Sequence, residues 1–139
     1  PRCPAAFAPC GWAARDLTAL LEQRWTTVSA EEFERERLAV DPPTELDAGG
    51  EPGLRAQFRD ARPGSGAAAA LLDVMRDSDP GEPFWRGVHS VEPQPDGVRI
   101  KFNEPVDPPL LAHGLVQVAC HLHDPRFAPS RIPASDGEV

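Results

Sequence analysis

Proline and glycine fill 17 and 11 of the 139 positions, so the backbone is interrupted too often for any regular element to run long. The expected elements are short and joined by turns and ordered coil. A chain of this length is read as one domain, residues 1–139, which buries roughly two-thirds of the surface its unfolded form exposes. Within it, residues 1–11 are expected to be irregular, 41–53 a flexible Pro/Gly-rich loop, and 124–139 an extended tail broken by Pro125, Pro129 and Pro133.

Between the breaks the hydrophobic period changes along the chain. Leu17, Leu20, Leu21 and Trp25 recur at helical spacing and predict a helix over about 12–25. Ser29-Ala30-Glu31-Glu32 offers a capping box for a second helix that stops before Asp41-Pro42-Pro43. Leu54, Phe58 and Ala61 suggest a short helical face. Ala68, Leu71, Leu72 and Met75 follow the i, i+3, i+4, i+7 pattern of a third full helix, capped by Ser65 and finished near Ser78. From Phe84 the period becomes 2. Val98, Ile100 and Phe102 alternate with Arg99, Lys101 and Asn103, and Phe84–Val91 is their expected antiparallel partner across the Asp96-Gly97 turn. A third strand is expected over about 114–122. The fold class is therefore α+β, with two to three N-terminal helices packed on a small antiparallel sheet of about three strands from the C-terminal half.

Charge removes several functions. The net charge is −8, with 8 basic and 11 acidic residues in 1–62 and 6 and 11 in 63–139, so neither half carries a basic module. Nucleic acid and anionic membrane surfaces are disfavoured, since both depend on clustered Lys and Arg. The longest apolar stretch, Gly66 to Val74, is far below the roughly 20 residues that span a bilayer, so no membrane insertion is expected. The three cysteines make no disulfide framework, although Cys3 and Cys10 can bridge in an oxidising compartment.

The densest chemistry lies in Cys120-His121-Leu122-His123-Asp124. On a strand, Val116, Val118, Cys120 and Leu122 share a core-directed face, and His121 and His123 stand together on the other, about 6–7 Å apart. Paired imidazoles are half of a transition-metal site such as zinc, with Asp124, His113 or His89 as further candidates; His89 qualifies if its strand pairs with 114–122. Strand alternation turns Cys120 away from His121, and the chain has no GxSxG nucleophile motif. Gly64-Ser65-Gly66 lacks the spacing and lysine of a phosphate loop and reads as a helix start.

Ser90-Val91-Glu92-Pro93 followed by Val98-Arg99-Ile100-Lys101-Phe102-Asn103-Glu104-Pro105-Val106-Asp107 resembles the opening strands of bacterial Ig-like domains in large surface proteins. The likeness covers about 30 residues and implies a local hairpin, because helices precede it and too few strands follow to complete a sandwich. It transfers no functional residue. Adjacent Phe84 and Trp85 would face opposite sides of a strand, so one of them needs cover outside the main core, from a helix, the tail or a partner. The expected function is a non-catalytic accessory or assembly subunit, or a protein-interaction module, presenting Trp85 and the His121/His123 face to a protein partner or a second copy. A metal-binding protein or metal-dependent enzyme centred on those histidines is the alternative.

Overall fold

The computed structural model describes residues 3–46, 49 and 54–130. Four helices, a four-stranded antiparallel sheet and a separate two-stranded sheet make a mixed α+β architecture. In chain order these are α1 (Ala14–Trp25), α2 (Ala30–Ala39), β1 (Thr44–Leu46), β2 (Arg55–Arg59), α3 (Ala67–Ser78), a one-turn α4 (Phe84–Gly87), β3 (Val88–Gln94), β4 (Gly97–Phe102), β5 (Leu111–His113) and β6 (Val116–Val118). Short 3-10 turns occupy Ala8–Cys10, His121–His123 and Pro125–Ser130. The main sheet runs in the order β1-β2-β4-β3.

The register explains the core. Ala56 pairs with Ile100 and Phe58 with Val98, so alternate residues of β2 and β4 stack apolar side chains on one face. Leu17 and Leu21 of α1, and Ala68, Leu71, Leu72 and Met75 of α3, join Phe84 and Phe102 in the same buried cluster. The opposite face carries Arg55, Gln57, Arg59, Arg99 and Lys101.

Four sequence expectations are corrected by the structure. Residues 55–59 form the second strand of the sheet, because Ala56 and Phe58 alternate with Arg55, Gln57 and Arg59 and match β4. The expected loop over 41–53 contains β1 at Thr44–Leu46; residues 47, 48 and 50–53 lie outside the described residues. The expected strand over 114–122 is instead a hairpin, in which Gly114 (φ 63°) and Leu115 turn the chain between β5 and β6. Of the expected tail, 125–130 forms a 3-10 turn, and 131–139 lies outside the described residues.

Strand carboxylates complete the helix starts. The Ala14 amide, first in α1, donates to Glu45 Oε1 on β1 at 2.8 Å, while Ala13 N donates to Asp16 Oδ2 at 2.8 Å. For α3 the expected Ser65 cap is weak, accepting from Ala67 N at 3.4 Å. Buried Asp60, just beyond β2, takes over by accepting from Gly66 N at 3.0 Å and Ala68 N at 2.9 Å. Negative charge at a helix N-terminus satisfies both its unpaired amides and its dipole. Ser29 does cap α2, accepting from Glu32 N at 3.1 Å.

The α1–α2 pair closes on a buried ion pair. Glu36 accepts from Arg24 Nη2 at 2.7 Å, from Arg24 Nε, and from Trp25 Nε1 at 3.0 Å. Burial by itself would raise the Glu36 carboxyl, but the hydrogen bonds from Arg24 and Trp25 and the charges of Arg24 and Arg35 outweigh it and hold it below the usual carboxylate value. A depressed folded value means that this stability is fully present above the unfolded value near 4.5 and is lost as pH falls through the lower folded one. Glu36→Gln is therefore expected to cost about 1–2 kcal/mol at neutral pH, because the half-buried Arg24 keeps only its 3.3 Å contact to Glu32 as a charged partner. Its urea midpoint should also fall less steeply than that of the wild type below pH ~4.5. Parallel midpoint curves for the two proteins would refute this assignment.

Candidate functional site

The N-terminal coil is stitched down at several points, and this builds one wall of a groove. Arg86 Nη1 donates to Ala6 O at 3.2 Å, Trp12 Nε1 to Phe7 O at 3.0 Å, and Val106 N to Pro9 O at 3.1 Å. The other wall is the chain on either side of the β5–β6 hairpin. Cys3, Cys10, Arg15, Pro105, Asp107, Cys120 and His121 all border this groove, whose volume is ≈ 700 Å³. That volume lies within the usual range of small-molecule sites. All three cysteines of the chain lie on it.

His121 is the structural centre. It sits in a 3-10 turn, only 5% exposed, and its ring meets Phe127 edge-on at 5.1 Å and Phe7 at 6.1 Å. Phe7 and Phe127 also meet each other at 5.9 Å, so the imidazole and the two phenyl rings form a mutually packed edge-to-face trio. Its Nδ1 lies 3.8 Å from Cys10 Sγ, within reach of a thiol–imidazole hydrogen bond, and its Nε2 is buried without a hydrogen-bond partner. All three cysteines are free thiols.

The five-residue motif does not act as a unit. Turning 121–123 into a 3-10 helix buries His121 and leaves His123 exposed, so the shared outward face expected on a strand is absent. Asp124 is buried and accepts from Arg126 Nη2 at 2.6 Å, from Arg126 Nε and from Arg126 N at 3.0 Å. The Arg126 side-chain hydrogen bond, against an opposing contribution from burial, holds its carboxyl below the ordinary range, with smaller help from the Arg126 backbone amide and charge. His89 is exposed on β3, and β3 pairs with β4 rather than with the 111–118 hairpin. Among the described residues no group of three or more His, Cys, Asp or Glu is gathered as a metal site.

The β5–β6 hairpin, which joins the two stretches that border the groove, forms its own two-stranded sheet and, among the described residues, packs chiefly on itself. Leu115 at its turn is fully exposed (106%), with Leu110 at 67% and Val116 at 58%. Val116, expected in the core, is exposed, and among the described residues β5 is the only strand paired with β6. From Asn103 to Asp124 the only formally charged side chains are Glu104, Asp107 and Asp124.

The aromatic pair is divided differently from the strand reading. Residues 84–87 form a helical turn after Pro83, and Phe84 enters the core against Trp12 and Phe102. Trp85 is half-buried, and its cover comes from the chain itself. Its Nε1 donates to Asp79 O at 3.1 Å, and the Arg76 guanidinium lies 4.9 Å over its ring. The neighbouring recess, bordered by Leu20, Met75 and Trp85, holds ≈ 170 Å³.

Sequence reasoning missed Cys10 as the partner of His121. The two are 111 positions apart, and no spacing rule connects them. No local signal in the sequence joins the Pro9-Cys10-Gly11 turn to the Cys120-His121 step. No known protein family, curated protein or solved structure matches this chain. No helix among the described residues is long and apolar enough to cross a membrane.

Proposed function

We propose that this chain is a non-catalytic protein-interaction module that docks through the β5–β6 hairpin. The observation that supports the reading most directly is the exposure of Leu115 and Val116, with neighbouring Leu110, on a hairpin that among the described residues pairs only with itself. A lone two-stranded hairpin is marginally stable in water, and its exposed apolar residues, Leu115 and Val116 at the turn and Leu110 just before β5, gain most when another surface covers them. Edge-strand pairing through β3 is a poorer route, because its bulge between Val88 and Ser90 and its Pro93 blunt that edge. The occupant is a separate protein presenting an apolar cleft rimmed by basic side chains. Glu104 and Asp107 at the base of the hairpin are its charge complement, and a net charge of −8 opposes self-association through the same face.

A photo-crosslinking residue placed at Leu115 tests this in the source cell, with Leu38, the same side chain at 68% exposure, as the control position. The expected result is one discrete heterologous adduct from position 115, absent from position 38 and lost when Val116→Asp is added. Equal labelling from both positions, or an adduct of two copies of this chain, would overturn the proposal.

A further inference from the structure

We infer that Cys10 and His121 form a thiol-oxidation site in the groove, at which a hydroperoxide oxidises Cys10 and Cys120 closes the product as a disulfide. Three observations meet here. The Cys10 Sγ to His121 Nδ1 distance of 3.8 Å lets the imidazole accept the thiol proton, which leaves the thiolate as nucleophile. His121 is 5% exposed and held by the Phe7 and Phe127 rings, and its buried Nε2 has no partner, so hydrogen bonding at that nitrogen does not account for its placement. Cys120 borders the same groove and directly precedes His121, so its Cα is about 3.8 Å from that of the residue touching Cys10.

The chemistry balances with hydrogen peroxide as oxidant. The Cys10 thiolate attacks one peroxide oxygen, an S–O bond forms, the O–O bond breaks, and the departing hydroxide takes the proton held on His121 to leave as water. Cys10 is then a sulfenic acid. The Cys120 thiolate attacks Cys10 Sγ, the S–S bond forms and the S–O bond breaks, and hydroxide leaves and is protonated to a second water. Two thiols are oxidised by two electrons and one peroxide is reduced. The product ties the N-terminal coil to the base of the β5–β6 hairpin.

The test treats the reduced full chain with one equivalent of hydrogen peroxide and maps the products by peptide mass spectrometry. A Cys10–Cys120 disulfide is expected in the wild type and in Cys3→Ser, and a dimedone adduct on Cys10 in Cys120→Ser. In the wild type Cys10 should be oxidised before the more exposed Cys3, a comparison that needs no substitution. His121→Asn, if folded by circular dichroism, should slow Cys10 oxidation at least about tenfold. Oxidation of Cys3 ahead of Cys10, a Cys3–Cys10 bridge, or stoichiometric zinc held by these thiols in the isolated protein would overturn the inference.

Discussion

Gly97→Ala is expected to remove at least about 4 kcal/mol of stability, a large part of the roughly 5–15 kcal/mol that holds an ordinary domain together. Gly97 opens β4, the strand that pairs with both β2 and β3, and lies opposite Arg59 on one side and Gln94 on the other. Its φ of 153° is a conformation that L side chains rarely adopt, and an added Cβ would overlap the Phe58 carbonyl oxygen and lie 2.7 Å from Arg59 Cα. The obstacle is backbone of the neighbouring strand, so no rotamer change relieves it. Either β4 separates from β2 or the Phe58↔Val98 register slips, and both expose the core. Gly64→Ala is the control. Its φ is +82°, but its nearest neighbour, Pro95 O, is 4.0 Å away, so it carries strain without collision and should cost about 1–2 kcal/mol. Urea denaturation followed by far-UV circular dichroism separates the two. Equal midpoints for both variants would show that the close approach at Gly97 is relieved cheaply.

The α+β class was legible because the long periodic segments carry their own signal. Leu17 and Leu21, Leu71, Leu72 and Met75, and Val98, Ile100 and Phe102 lie in the core as their spacings predict. The failures fall where two periods compete in a short segment. Leu54, Phe58 and Ala61 fit a helix at i, i+4 and i+7, yet Ala56 and Phe58 fit a strand, and the open edge of β4 decides between them. Gly114 is expected as the first residue of a strand, yet its positive φ makes it part of the turn that joins β5 to β6. The cap of α3 was beyond local reading, because Asp60 reaches Ala68 from eight residues away.

The candidate site was less legible, for a related reason. Strand alternation separates Cys120 from His121 and turns His121 toward solvent, and both expectations depend on a strand that in fact ends at Val118. Once residues 121–123 coil into a 3-10 turn, His121 points inward at Phe7 and Cys10 from the far end of the chain. Local periodicity has no term for such a contact. The exposed hairpin was hidden by the same error, since one unbroken strand would have placed Val116 in the core rather than at an exposed turn.

The second large effect is expected at Gly87, which ends α4 against the indole of Trp12. A Cβ there would overlap Cγ, Cδ1 and Cδ2 of that ring, so Gly87→Ala must expel Trp12 from a site where it is only 2% exposed. The loss should be about 3–4 kcal/mol, close to the cost of deleting a buried aromatic ring. It reaches beyond packing, because Trp12 Nε1 donates to Phe7 O and the Phe7 ring packs edge-on against His121. A double-mutant cycle isolates the cause. Trp12→Ala alone should cost about 3–5 kcal/mol, and adding Gly87→Ala to it should cost less than about 1 kcal/mol, since the new methyl then occupies space the indole has left. If Gly87→Ala were equally damaging with and without the indole, its effect would lie in the backbone of α4, and the coupling from the core through Trp12 and Phe7 to the Cys10–His121 pair would have no support.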